Sequence, residues 1–279
     1  YGGARGDTAK QMATTLDFTL AGEALHPAFA SLAVQLDEAG RSSDGSKQVF
    51  ELVVANSLWP QKGVSLEAPY LALTKRYYAV EIEAVDFAGD REAAVGTINQ
   101  WVSTQTRERI PSLLDPKSIK PSTLLVLTNA VYFNATWDEP FKPGQTKPRV
   151  FHAPTGDVTV PTMFIRHPYR AAQVSVPLAT DANANAGGAK LNVELLEMPY
   201  AGGRMALTVM MPVDGSLGDF VAALSLEGLD ELLAKLASEH LELSFPRFKL
   251  ESGFELGPVL SAMGMPDAFG AMANFDGIT

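Results

Sequence analysis

The stretch that most restricts the fold is Thr123–Asn134, because it carries apolar residues on both faces of a predicted β-strand. Side chains along a strand alternate between its two faces. One face therefore carries Leu125, Leu127, Val131 and Phe133, and the other carries Leu124, Val126, Ala130 and Tyr132. A strand that is apolar on both faces is typical of the centre of a sheet that is covered on both sides. We predict such a central strand here.

Asn129 places an amide in the middle of this apolar strand. An asparagine side chain offers up to four hydrogen-bonding positions. Leaving such a group buried without a partner costs on the order of 1–3 kcal/mol. We therefore predict that Asn129 belongs to a polar network that fixes the register of the sheet or acts as a structural switch.

Helical patterns dominate the first third of the chain, and short strand patterns dominate the rest. Helices are predicted over Pro27–Leu36 and Glu67–Tyr78, and a further helix is predicted to be capped by Asp90. Strands are predicted over Val49–Trp59 and near Leu241–Leu250. Because helices and strands are segregated along the chain, we predict an α+β fold with a mainly antiparallel sheet. No linker divides residues 1–279, so a single domain is expected.

Charge and composition exclude several classes of function. The net charge is −10 and the basic residues are scattered, whereas nucleic-acid binding requires clustered Lys and Arg. The chain has no cysteine, which excludes thiolate chemistry and disulfides. No apolar stretch approaches the roughly 20 residues that cross a bilayer. We predict neither a nucleic-acid nor a membrane partner.

No arrangement of residues predicts an enzyme. Ser216 lies in a Gly-Ser-Leu-Gly stretch, but Asp214 breaks the spacing of a nucleophile elbow. The four histidines are far apart and lack the spacing of metal ligands; they are His26, His152, His167 and His240. We predict no catalytic residue, no metal site and no cofactor.

Several short motifs follow one another along almost the whole chain. The motifs are Ala55-Asn56-Ser57-Leu58-Trp59, Val85-Asp86-Phe87, Ile98-Asn99-Gln100-Trp101-Val102, Leu127-Thr128-Asn129-Ala130-Val131-Tyr132-Phe133 followed by Trp137, Val160-Pro161-Thr162-Met163, Leu243-Ser244-Phe245-Pro246-Arg247-Phe248-Lys249-Leu250 and Ala273-Asn274-Phe275-Asp276-Gly277-Ile278-Thr279. In sequence and in order they resemble motifs of the serpin family, and of its prokaryotic members in particular. Each motif alone is weak, but together they identify the chain as a member of the family.

The resemblance implies a serpin fold, in which helices pack on a large sheet A beside smaller sheets B and C. It implies that Asn129 belongs to the shutter beneath the centre of sheet A. It implies that Trp137 lies at the breach, where an inserting loop enters the sheet. The implied function is suicide-substrate inhibition of a serine protease, or of a cysteine protease. A non-inhibitory serpin with a chaperone, carrier or storage role is the alternative.

The resemblance also carries expectations about parts and partners. The hinge, the reactive loop with its scissile bond and the last strands are expected to lie outside this chain, as is part of the N-terminus. A secreted protein is expected. The helix near Pro27–Leu36 has no Lys or Arg cluster, which argues against activation by glycosaminoglycans.

Strand pairing is the most specific structural expectation from the resemblance. Val49–Leu58 should pair with one edge of Thr123–Asn134. The other edge should face the fifth strand of sheet A or an inserted loop, supplied by the remaining C-terminal segment. Leu241–Leu250 should lie at the far edge of sheet A, without backbone hydrogen bonds to either strand.

Overall fold

A computed structural model describes residues 1–41, 48–178, 190–250 and 255–279. Its helices are α1 Gly6–Thr15, α2 Gly22–Ala39, α3 Ala68–Tyr78, α4 Arg91–Gln105, α5 Leu217–Ala223, α6 Leu226–Ala234 and α7 Leu256–Met263. Its strands are β1 Phe50–Pro60, β2 Glu81–Ile82, β3 Leu125–Ala135, β4 Lys147–Ala153, β5 Gly156–Pro177, β6 Lys190–Pro199, β7 Ala206–Pro212 and β8 Ala237–Pro246. This content confirms the predicted α+β class.

The chain forms two compact units. The first comprises Tyr1–Gly40, Glu51–Asn134 and Glu251–Thr279, and the second comprises Arg41–Phe50 and Ala135–Leu250. The expectation of a single domain stays a prediction. No helix in the described part of the chain is long and apolar enough to cross a membrane.

The first unit is built on a three-stranded sheet in the order β2-β1-β3. β1 and β2 run parallel, with Ser57 opposite Glu81. β1 and β3 run antiparallel, because the Gln61 amide donates to the Leu124 carbonyl while Asn129 lies beside Ala55. The predicted pairing of Val49–Leu58 with Thr123–Asn134 is therefore confirmed.

Helix α4 belongs to the same apolar core as β1. Asp90 caps the helix as predicted, since its carboxylate accepts a hydrogen bond of 3.0 Å from the Ala93 amide. Ile98 on α4 is fully buried in one cluster with Trp59 of β1 and Phe87. Burial of three large side chains together stabilises the attachment of α4 to the sheet by several kcal/mol, at about 1.5–3 kcal/mol for each side chain.

The predicted helix over Pro27–Leu36 is longer than expected. Helix α2 begins at Gly22, so Pro27 lies inside it. Proline has no backbone N–H and is usually confined to the first turn of a helix, which is why the sequence pattern places the start too late.

The second unit is built on an antiparallel five-stranded sheet in the order β4-β5-β6-β7, with β8 also paired to β5. The 22-residue strand β5 pairs with β4 through its first part, with β8 through its middle and with β6 through its last part. The predicted assignment of Leu241–Leu250 to the far edge of sheet A is wrong for the residues up to Pro246, because these residues belong to β8 and pair with β5. The apolar residues of β8 instead face apolar residues of β5: Leu243 lies opposite Ile165 and Phe245 opposite Met163. As predicted, β8 does not pair with β1 or β3 within the described residues.

Candidate shutter and breach

Asn129 joins β3 to β1 through its side chain. Its Nδ2 donates to Oδ1 of Asn56 at 3.0 Å and to the Ala55 carbonyl at 3.4 Å. Nδ2 of Asn56 donates in turn to the carbonyl of Tyr78, the last residue of α3, at 3.2 Å. The two asparagines therefore form a polar chain from β3 through β1 to the end of a helix. This arrangement agrees with the predicted network around Asn129.

The predicted burial of Asn129 is wrong for the residues that the structure describes. Its face of β3 is exposed, with Leu127 at 60% and Val131 at 52% of their full exposure. The opposite face, which carries Thr128 and Ala130, is buried. The sequence pattern correctly shows that both faces are apolar, but in the described part of the chain only one face is covered.

Thr128 makes a second side-chain connection to β1, from the buried face. The indole Nε1 of Trp59 donates to Oγ1 of Thr128 at 2.9 Å, and both residues are buried. Neighbouring residues of β3 are thus bonded to β1 from opposite faces of the sheet. The sequence does not predict this pair. Threonine is common in β-strands, and Trp59 occupies an apolar position of its motif, so neither residue indicates a buried hydrogen bond.

Trp137 stacks on Tyr200 in the second unit. The two rings are nearly parallel, with an interplanar angle of 9° and centroids 4.7 Å apart, and Phe141 meets the indole edge-on at 6.5 Å. The main chain fixes this geometry, since the Asp138 amide donates to the Pro199 carbonyl and the Ala201 amide to the Thr136 carbonyl. Burial raises the pKa of the Tyr200 phenol, so the ring that supports Trp137 is neutral near pH 7.

The two residues predicted for shutter and breach lie in different compact units, with Asn129 in the first and Trp137 in the second. Each makes side-chain contacts that hold neighbouring segments of its own unit. Their roles in a shutter and a breach stay predictions.

The candidate nucleophile has a structural role. Ser216 caps α5, where its hydroxyl accepts from the Asp219 amide at 3.1 Å and the Asp219 carboxylate accepts from the Ser216 amide. This is a capping box. No group of three or more His, Asp or Glu side chains that could hold a metal ion is found within residues 1–41, 48–178, 190–250 and 255–279.

Comparison with known proteins identifies the family. The family model described as serpin (serine protease inhibitor) matches residues 1–279. The chain is 34% identical to an uncharacterized serpin-like protein of Thermococcus kodakarensis over 279 residues, which are 100% of this chain and 60% of that protein. It is 31% identical to Serpin B6 of Pongo abelii over 286 residues, covering 100% of this chain and 70% of that protein.

The solved structures agree with the sequence relatives. Ovalbumin from emu superposes with a TM-score of 0.84 at 29% identity, covering 100% of this chain and 71% of that one. The chain thus spans about 60–70% of the length of the relatives named here. Members of this family are generally protease inhibitors and not enzymes. On its sequence motifs, its fold and these matches, the chain belongs to the serpin family.

Proposed function

We propose that the full-length protein inhibits a serine protease as a suicide substrate, and that β3 receives the inserted loop. The observation that carries this proposal is the asymmetry of β3. One edge is bonded to β1, and no strand within the described residues pairs with the other. An apolar strand with an available edge is a template for another strand.

The chemistry belongs to the target and not to the inhibitor. The serine hydroxyl of the protease would attack the scissile carbonyl of the loop, the peptide C–N bond would break, and the new amine would leave with a proton. The loop would then be held to the protease by an ester bond. Insertion of the freed loop beside β3 would release stored conformational strain and displace the protease before water hydrolyses the ester.

The loop and the strand that completes the sheet are proposed to lie in parts of the full-length protein outside this chain. The length of the relatives supports this placement, since the matched region covers only 60–70% of each. The identity of the protease depends on the loop. A serine protease is proposed first, because the matching family is described as serine protease inhibitors.

The test is to mix the full-length protein with trypsin-like, chymotrypsin-like and subtilisin-like proteases and analyse the products on denaturing gels. We expect a covalent complex with at least one protease and no hydrolase activity from the protein alone. The control is the same protease with its active-site serine blocked, which should form no complex. Clean cleavage by every protease without a covalent band would favour the non-inhibitory alternative.

A further inference from the structure

The hydrogen bond between Trp59 and Thr128 lies inside the apolar core of the first unit. Trp59 is only 1% exposed and Thr128 is 6% exposed. The indole packs among the apolar side chains of Val95 and Ile98 on α4 and meets Trp101 edge-on, with ring centroids 5.9 Å apart. A hydrogen bond inside an apolar cluster is costly to break, because neither group has water as an alternative partner.

Packing alone does not account for the hydroxyl of Thr128. Valine has nearly the same shape, and Val126 already lies in contact with the same cluster two residues away. What threonine adds is an acceptor for the indole N–H. Without that acceptor the buried N–H would be left unsatisfied, which is the costly outcome for a hydrogen bond in an interior.

The bond also adds a side-chain connection to the edge of β3 that pairs with β1. Thr128 is bonded to Trp59 on the buried face, and Asn129 is bonded to Asn56 and Ala55 on the exposed face. β3 is therefore connected to β1 from both faces at consecutive residues. If β3 slipped along β1 or moved away from it, the Trp59–Thr128 bond would break inside the core.

We propose that Thr128 and Trp59 are positioning residues that hold β3 in register on β1 while its other edge admits a strand. This inference rests on the proposed function, because it presupposes that the sheet accepts a strand. The pair acts on the rate and outcome of insertion, through the alignment of β3, and touches neither the protease nor the scissile bond.

The experiment uses the full-length protein and four variants: Thr128→Val, Thr128→Ser, Trp59→Phe and the double variant Thr128→Val with Trp59→Phe. The first readout is the rate of spontaneous conversion to an inactive or polymeric form at a fixed mild temperature, followed on native gels without any protease. The second is the number of inhibitor molecules consumed for each protease molecule captured.

We expect Thr128→Val to convert about tenfold faster than wild type. Without an acceptor for the indole N–H, the native state rises in free energy and the barrier to conversion falls, by an amount that corresponds to roughly that factor in rate. It should also raise the number of inhibitor molecules consumed. Thr128→Ser keeps the acceptor and should restore both values to within about twofold of wild type. In the Trp59→Phe background the effect of Thr128→Val should vanish, because phenylalanine has no N–H to orphan.

A merely structural role would move the unfolding midpoint of Thr128→Val without changing its conversion rate relative to Thr128→Ser, and this result would overturn the inference. So would an equal effect of Thr128→Val in the wild-type background and in the Trp59→Phe background. If wild type captures protease but all variants convert alike, only this inference fails. If wild type neither captures protease nor converts below its unfolding temperature, the proposed function fails and this inference fails with it.

Discussion

Replacement of Trp137 by alanine is expected to have the largest effect of any change proposed here, destabilising the native state by about 2–3 kcal/mol. The indole loses its stack on Tyr200 and its edge contact with Phe141. Fully buried Trp→Ala changes cost about 3–5 kcal/mol, and the half-buried Trp137 should lie below that range. Thermal unfolding should fall by roughly 4–12 °C, at 2–4 °C for each kcal/mol.

The proposed role of Trp137 at the breach predicts more than lost stability. At a temperature well below unfolding, Trp137→Ala should let a larger fraction of inhibitor be cleaved without capturing protease. Trp137→Phe keeps an aromatic ring on Tyr200 and should behave nearly as wild type. Phe141→Ala is the matched control, since it removes one contact of the indole but leaves the stack. Unchanged capture by Trp137→Ala, despite the lower unfolding temperature, would argue against a role at the breach.

Replacement of Asn129 by alanine is expected to speed conversion of the full-length protein to an inactive or polymeric form by about thirtyfold. Two hydrogen bonds to β1 are lost, each worth roughly 1 kcal/mol, and about 1.36 kcal/mol corresponds to a factor of ten in rate. The measurement is the fraction of active monomer that remains after mild heating.

Two isosteric variants test the chemistry of this network. Asn129→Asp removes the donor and sets a carboxylate against two acceptors, so it should convert at least as fast as Asn129→Ala. Asn56→Asp keeps the acceptor that Asn129 uses and loses only the bond to the Tyr78 carbonyl, so its effect should be smaller. Conversion of Asn129→Ala and Asn129→Asp at the wild-type rate would show that Asn129 does not hold the sheet.

Sequence patterns identified the local elements of the sheet because those elements are determined by alternation and capping. The apolar alternation of Thr123–Asn134 predicted β3, and Asp90 predicted the start of α4. The apolar alternation near Leu241 predicts a strand but does not predict its partner. Alternation indicates which face of a strand is apolar and does not indicate which neighbour supplies the complementary face. That information came from its register against β5.

In the candidate site too, the sequence predicts the need for a contact but not the residues that provide it. The apolar pattern around Asn129 predicts hydrogen-bonding partners for its amide, because a polar side chain in an apolar strand must be satisfied. Its partners, Asn56 and the Ala55 carbonyl, depend on the β1–β3 register and could not be derived from spacing. The prediction that both faces of β3 are buried is wrong for the described residues. Apolar residues on both faces show that a strand can be buried on both sides. They do not show which part of the protein packs against each face.

Amide hydrogen exchange tests most directly whether β3 accepts a strand along the edge that β1 does not occupy. The Leu124 carbonyl accepts from β1, and alternate residues of an antiparallel strand point their backbone groups to opposite edges. The amides of Leu127, Asn129 and Val131 should therefore face the available edge.

Exchange is measured on the full-length protein before and after cleavage of its reactive loop. We predict that the amides of Leu127, Asn129 and Val131 exchange at least tenfold more slowly after cleavage. The intervening amides of Thr128 and Ala130, already directed at β1, serve as the internal control and should change little. Complete cleavage with no added protection in β3 would contradict insertion at this edge.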